Sequence, residues 1–137
     1  MSYHLKKQII IRTSFKGTHN WPEASQFAGK EVGFLEDVHR HTFHLQVELE
    51  VSGSDREVEF FVFQGQVDKV IQELYPKEGL VRVLGRRSCE TMAEEIIERL
   101  RNQYGYLHST ITVEAWEDNE VGGRVKSLFT IPENKTD

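Results

Sequence analysis

Apolar and polar positions alternate strictly from His41 to Val51: Phe43, Leu45, Val47, Leu49 and Val51 face one way, and Thr42, His44, Gln46, Glu48 and Glu50 the other. This is the pattern of a strand with one buried face. The β-branched run from Gln8 to Phe15 predicts an earlier strand that ends near Gly17. After the turn cluster Ser52-Gly53-Ser54-Asp55, the segment Glu57 to Phe63 predicts the return strand of an antiparallel hairpin. The period then changes. Val67, Val70, Ile71 and Leu74 recur at helical spacing until Pro76, which predicts a short helix. A second helix has Ser88 as its cap, Glu90 and Glu94 near its positive end, and an apolar stripe of Met92, Ile96, Ile97 and Leu100 before Tyr104-Gly105. Thr110 to Trp116 and Arg124 to Ile131 predict a last strand pair around Asp118-Asn119-Glu120 and Gly122-Gly123. From His19 to Asp37 no period is sustained, which predicts a long connection of functional use. The order implies an α+β fold, with two helices on one face of a mostly antiparallel sheet of four or five strands, in a single domain spanning 1–137.

Composition narrows the functional classes. The 137 residues are 38% hydrophobic and 28% charged, as in a folded protein. No apolar run approaches the roughly 20 residues that cross a bilayer, and the first residues lack a signal-peptide pattern, so a soluble, cytoplasmic protein without membrane partners is expected. The net charge is −5, and the cations are scattered apart from short pairs such as Lys6-Lys7 and Arg86-Arg87, which argues against nucleic acid as a partner. One cysteine, Cys89, stands against six histidines, which turns attention to imidazole chemistry.

His39 and His41 are two residues apart at the mouth of the best strand, so their side chains leave the same face. His19, just past the end of the first strand, is the natural third ligand. Three neutral imidazoles with one open position make a catalytic zinc arrangement. His4, His44 and His108 have no partner on their own face, and His44 points away from His41.

Phe15-Lys16-Gly17-Thr18-His19 followed by His39-Arg40-His41-Thr42-Phe43 resembles the 6-pyruvoyl- and 6-carboxy-tetrahydropterin synthase family, whose pattern is Phe-x-Ala-Ala-His and then His-Gly-His-x-aromatic. Ser88 to Ala93 is similar to that family's Pro-Thr-x-Glu-x-x-Ala helix start, and Trp116 to Asn119 to the strand end whose glutamate anchors the pterin. The resemblance implies the tunnelling fold, a four-stranded antiparallel sheet with two helices, oligomerised into a barrel as a hexamer of two trimers. It also implies zinc on His19, His39 and His41, a pterin-like small molecule held by Glu117, and a position for Glu90 near that ligand.

The chain departs from the family where the family places its catalytic cysteine and its Asp-His pair. The residues before His39 are Leu35-Glu36-Asp37-Val38, the segment after the first helix reads Leu74-Tyr75-Pro76-Lys77-Glu78-Gly79, and Arg40 replaces the glycine between the histidines. Glu36 resembles a variant branch in which a glutamate replaces the cysteine and the chemistry shifts towards cleavage of a dihydropterin side chain; it is the expected general base. Cys89 at a helix start is a second nucleophile candidate on dipole grounds, although it belongs to the helix motif and not the metal motif. Three functions are compatible: a zinc-dependent lyase on a dihydropterin, a non-catalytic metal- and pterin-binding homologue, and an oligomeric scaffold with a structural metal.

Overall fold

The structure, a computed structural model, describes residues 5–53, 55 and 57–129. His4, Ser54 of the expected turn and the Thr130-Ile131 end of the expected last strand lie outside the described residues. The chain runs β1 (Lys7–His19), α1 (Ala24–Ala28), a 3-10 segment (Lys30–Glu36), β2 (His39–Val51), α2 (Phe60–Leu74), β3 (Lys77–Glu78), β4 (Val81–Gly85), α3 (Cys89–Tyr104), β5 (Ile111–Glu117) and β6 (Val121–Ser127). One sheet has the order β3-β4-β1-β2-β5-β6. All its neighbours are antiparallel except β1 and β4, which run parallel.

The alternation of β2 is realised from Phe43 to Leu49, while Val51 at the strand end is only half-buried. Phe43, Leu45, Val47 and Leu49 are buried in one core cluster with residues of α2 and α3, and across the sheet they pair with Glu117, Ala115, Val113 and Ile111. Burying side chains of this size contributes about 1.5–3 kcal/mol each. Ser88 caps α3 by accepting from the Thr91 amide at 3.1 Å, and Gly105 ends it in the left-handed conformation at φ 74°.

The expected four-stranded antiparallel sheet with two helices, oligomerised into a barrel, is corrected by the structure: among the described residues the sheet has six strands of mixed direction, is open with β3 and β6 at its edges, and is accompanied by four helical segments. Three local differences account for this. Glu57 to Phe63 is not a return strand, because β2 already pairs with β1 and β5 and α2 begins at Phe60, where Glu59 accepts from the Val62 amide at 2.9 Å. Phe63 is fully buried while Phe60, Phe61 and Val62 face outward, a helical distribution that a short apolar run does not reveal. Second, β3 and β4 arise between Pro76 and Gly85, where the strand residues are mostly exposed or half-buried and carry little alternation. Third, the long connection after His19 is organised as α1 and the 3-10 segment. Gly122 and Gly123 belong to β6 and not to the turn before it.

Candidate metal centre and adjoining cleft

The in-register pairing of β1 and β2 sets His19 opposite His39 and Gly17 opposite His41. A side chain at Gly17 would place a Cβ 3.0 Å from the Phe43 ring, so glycine there lets Phe43 pack beneath the histidines. The ring of Phe43 lies 5.2 Å from that of His19 and 5.9 Å from that of His41. The three imidazole centroids are 4.5, 5.4 and 4.9 Å apart, and one nitrogen from each falls within 4.8 Å of the others.

The hydrogen bonds of the rings decide which nitrogens these are. His19 Nδ1 donates to the Arg87 carbonyl at 2.9 Å, His39 Nδ1 to the Asp37 carbonyl at 2.8 Å, and His41 Nδ1 to Asp118 Oδ2 at 2.7 Å. A carbonyl or carboxylate only accepts, so each Nδ1 carries the proton and each neutral ring keeps a lone pair on Nε2. All three Nε2 atoms are buried and make no hydrogen bond. Glu117 Oε1 lies 3.1 Å from His19 Nε2 and Oε2 lies 3.4 Å from His41 Nε2, off the hydrogen-bond direction. Lone pairs facing a carboxylate at that distance repel unless a positive charge sits among them. This donor set, with its outer nitrogens tied, fits one divalent cation. Burial is the main influence holding the His19 imidazole below the ordinary histidine value, opposed by the Arg87 carbonyl and Glu117.

Asp118 was not singled out in the sequence, and it builds the site. It sits with Asn119 in the β5–β6 turn at φ 53° and 59°, left-handed values that Asp and Asn tolerate. Its amide donates to the Thr42 carbonyl at 2.8 Å, and its Oδ1 accepts from the Thr42 amide at 2.8 Å. That clamp fixes the other oxygen on His41, and the two hydrogen bonds hold the Asp118 carboxyl below the usual range. The signal existed only in the turn, since no spacing relates Asp118 to His41.

The candidate residues differ in placement. Glu117, Glu90, Cys89, His19 and His39 line one cleft of about 480 Å³ together with Trp21, Leu35 and Arg86. Glu90 lies across Gly123, where a Cβ would come within 3.0 Å of its carboxylate. Glu36 ends the 3-10 segment half-buried; its Oε2 accepts from Ser25 Oγ at 2.9 Å and its carbonyl from Asn20 Nδ2 at 3.1 Å. Leu35, not Glu36, is among the described residues lining the cleft. Burial, with Glu117 and Glu90 nearby, pushes the Cys89 thiol up to about 12, which outweighs the helix dipole and leaves a protonated thiol 3.9 Å from Glu117. His44 and His108 stand apart from the cluster among the described residues.

No family model matches the chain. It is similar to the 6-pyruvoyl tetrahydropterin synthase of Plasmodium vivax, with a TM-score of 0.65 at 13% identity over 92% of this chain and 100% of that one. The chain is a divergent fold-level match to the tetrahydropterin synthase, or tunnelling-fold, superfamily. A second structure of the Plasmodium vivax synthase, in which a catalytic glutamate is replaced by cysteine, matches this chain with a TM-score of 0.60 at 13% identity over the same shares. In sequence it is similar to the dihydroneopterin monophosphate aldolase of Pyrococcus furiosus, 29% identical over 119 residues, 86% of this chain and 96% of that protein. The His19, His39 and His41 cluster is thus a metal-compatible site in a tetrahydropterin-synthase-like fold.

Proposed function

We propose that the protein is a zinc-dependent lyase that cleaves the side chain of a dihydropterin in the manner of an aldolase. The observation that carries this reading is the convergence of three unbonded, buried Nε2 atoms whose Nδ1 partners all fix the ligand tautomer, beside a cleft of small-molecule size. Similarity to an aldolase acting on a dihydropterin, and to a synthase with a catalytic glutamate, supports the choice of reaction.

His19, His39 and His41 would hold the ion, which when bound supplies a Lewis acid for a side-chain oxygen of the substrate. Glu117 offers two acceptor oxygens in the cleft and anchors the amino group and ring N–H of the pterin. Glu90, held over Gly123, borders the same ligand. Glu36 is the general base: released from Ser25, it takes the proton of the side-chain hydroxyl next to the breaking carbon–carbon bond. The electron pair of that bond passes into the ring imine, an aldehyde leaves, and a proton returned to the ring-attached carbon completes the reaction. The cytoplasm and a homo-oligomer, a hexamer by family resemblance, belong to this reading. Described residues include no helix able to cross a membrane, and the outer strand β6 has an unpaired edge suited to another chain.

A non-catalytic binder is the second reading, favoured by the contact that turns Glu36 towards Ser25. Incubating zinc-loaded protein with 7,8-dihydroneopterin and measuring released aldehyde separates the two. Aldehyde formation that disappears in Glu36→Gln, with pterin binding retained, supports the lyase. Binding without aldehyde supports the second reading, and absence of binding rejects both.

A further inference from the structure

Glu117 keeps company that a carboxylate at a strand end does not ordinarily keep. Its side chain is four-fifths buried, and among the described residues its ion-pair neighbours are His19 and His41 alone. Both rings are held in the tautomer that turns a lone pair, not a proton, towards it. The other described contact of the carboxylate is the Cys89 thiol, a weak donor 3.9 Å from Oε1. A negative charge withdrawn this far from water without a cation is costly, and the place for that cation is between the carboxylate and the two rings.

The backbone builds this arrangement. In an extended strand, consecutive residues such as Glu117 and Asp118 point to opposite faces. The left-handed conformation of Asp118, at φ 53°, instead brings both carboxylates to one ring, with Asp118 on Nδ1 of His41 and Glu117 beside Nε2. Pairing holds Glu117 in place: it stands opposite Phe43 of β2 and Val121 of β6, and its carbonyl accepts from the Glu120 amide at 2.9 Å. The spacing is also that of ligands around one ion. Tetrahedral bonds of about 2.0–2.2 Å set ligand atoms about 3.3–3.6 Å apart. Glu117 Oε1 lies 3.1 Å from His19 Nε2, and Oε2 lies 3.4 Å from His41 Nε2.

We propose that Glu117 is the fourth ligand of the resting metal centre, closing the position that the three histidines leave open, and that a substrate opens it by drawing the carboxylate away through paired N–H donors. This rests on the dihydropterin reading and adds to it the regulation of the site. Glu117 serves either the ion or the ring, so the open position arises only when a ring with those donors has arrived. A small anion without such donors finds the position closed.

The test uses cobalt-substituted protein, whose visible spectrum reports the ligands of the ion, with azide as the probe of the open position. Azide is expected to shift the spectrum of Glu117→Gln at concentrations that leave wild type unchanged. Glu90→Gln, which removes a charge from the same cleft without touching the rings, should behave as wild type. Zinc affinity should fall at least about tenfold in Glu117→Gln, since a direct ligand counts for no less than the outer partners of a ligating histidine. Melting of the metal-free proteins guards against a folding defect: with the carboxylate gone from the facing lone pairs, Glu117→Gln should melt no lower than wild type, and its gain on adding zinc should be smaller. Equal azide binding in wild type and Glu117→Gln, an equal response in Glu90→Gln, or unchanged zinc affinity overturns the ligation. Adding 7,8-dihydroneopterin should shift the wild-type spectrum, and a pterin bound by calorimetry that leaves it unchanged overturns the exchange. A pterin that does not bind rejects the dihydropterin reading and the exchange with it, while the azide result still decides the ligation.

Discussion

Replacing Asp118 by asparagine preserves the shape of the side chain but removes one of two acceptors, and both are in use. Oδ2 accepts from His41 Nδ1 at 2.7 Å and Oδ1 from the Thr42 amide at 2.8 Å. If the asparagine oxygen stays on Thr42, its amide group points a donor at the His41 N–H. The ring relieves this by moving its proton to Nε2, which removes the lone pair aimed at the metal. If the oxygen turns to His41, the donor meets the Thr42 amide and the β5–β6 turn loosens. One contact is inverted either way, so zinc affinity should fall by about 10–100-fold, the range for carboxylates that orient a ligating histidine. Competition with a chromophoric chelator measures the affinity, and nitrogen-15 NMR of the metal-free protein reports which His41 nitrogen holds the proton. Unchanged zinc affinity with His41 still protonated at Nδ1 would refute the reasoning.

Other expected outcomes test different parts of the structure. Phe63→Ala should destabilise by about 3–5 kcal/mol while Phe61→Ala costs about 0.5 kcal/mol or less in chemical denaturation, because one ring is fully buried and the other 71% exposed; similar costs would favour a strand, where the two share a face. The Cys89 thiol, pushed up to about 12, should react with a disulfide reagent at pH 8 on the order of a thousandfold more slowly than a free cysteine, and rapid labelling of native protein would contradict its burial. Glu114 is held below the usual carboxylate range first by the Trp116 N–H at 2.9 Å and also by Arg124. Its contribution, about 1–2 kcal/mol, is therefore full above the ordinary carboxylate range and lost as pH falls through the lowered value. Melting temperatures of wild type and Glu114→Gln should converge at acid pH, and a gap that widens there would reverse the sign.

What the sequence made legible followed from periodicity with a clear partner. The alternation of β2 and the position of His19 at the end of β1 place three imidazoles on one face, and antiparallel pairing then sets His19 opposite His39. Helix α3 was legible from Ser88 to Gly105 because cap, stripe and stop agree. The start of α2 was not, since Val58 to Phe63 satisfies both a buried strand and a helix, and only the partners already taken by β2 decide against the strand. The outer shell of the metal centre was equally hidden. The Arg87 carbonyl reaches His19 and Asp118 reaches His41 across 68 and 77 residues of chain, through the β4–α3 link and the β5–β6 turn. The contact of Glu36 was hidden in the same way: it stands three residues before His39 in sequence, and its carboxylate accepts from Ser25, which no spacing reveals.

The claim beneath the whole account is that His19, His39 and His41 together bind one divalent ion. Titration of metal-free protein with zinc, followed by calorimetry and elemental analysis, addresses it directly. The account predicts one tightly held zinc per chain, lost in His39→Ala and retained in His44→Ala, whose ring stands outside the cluster. A protein that binds no zinc, or one whose stoichiometry survives His39→Ala, would contradict it.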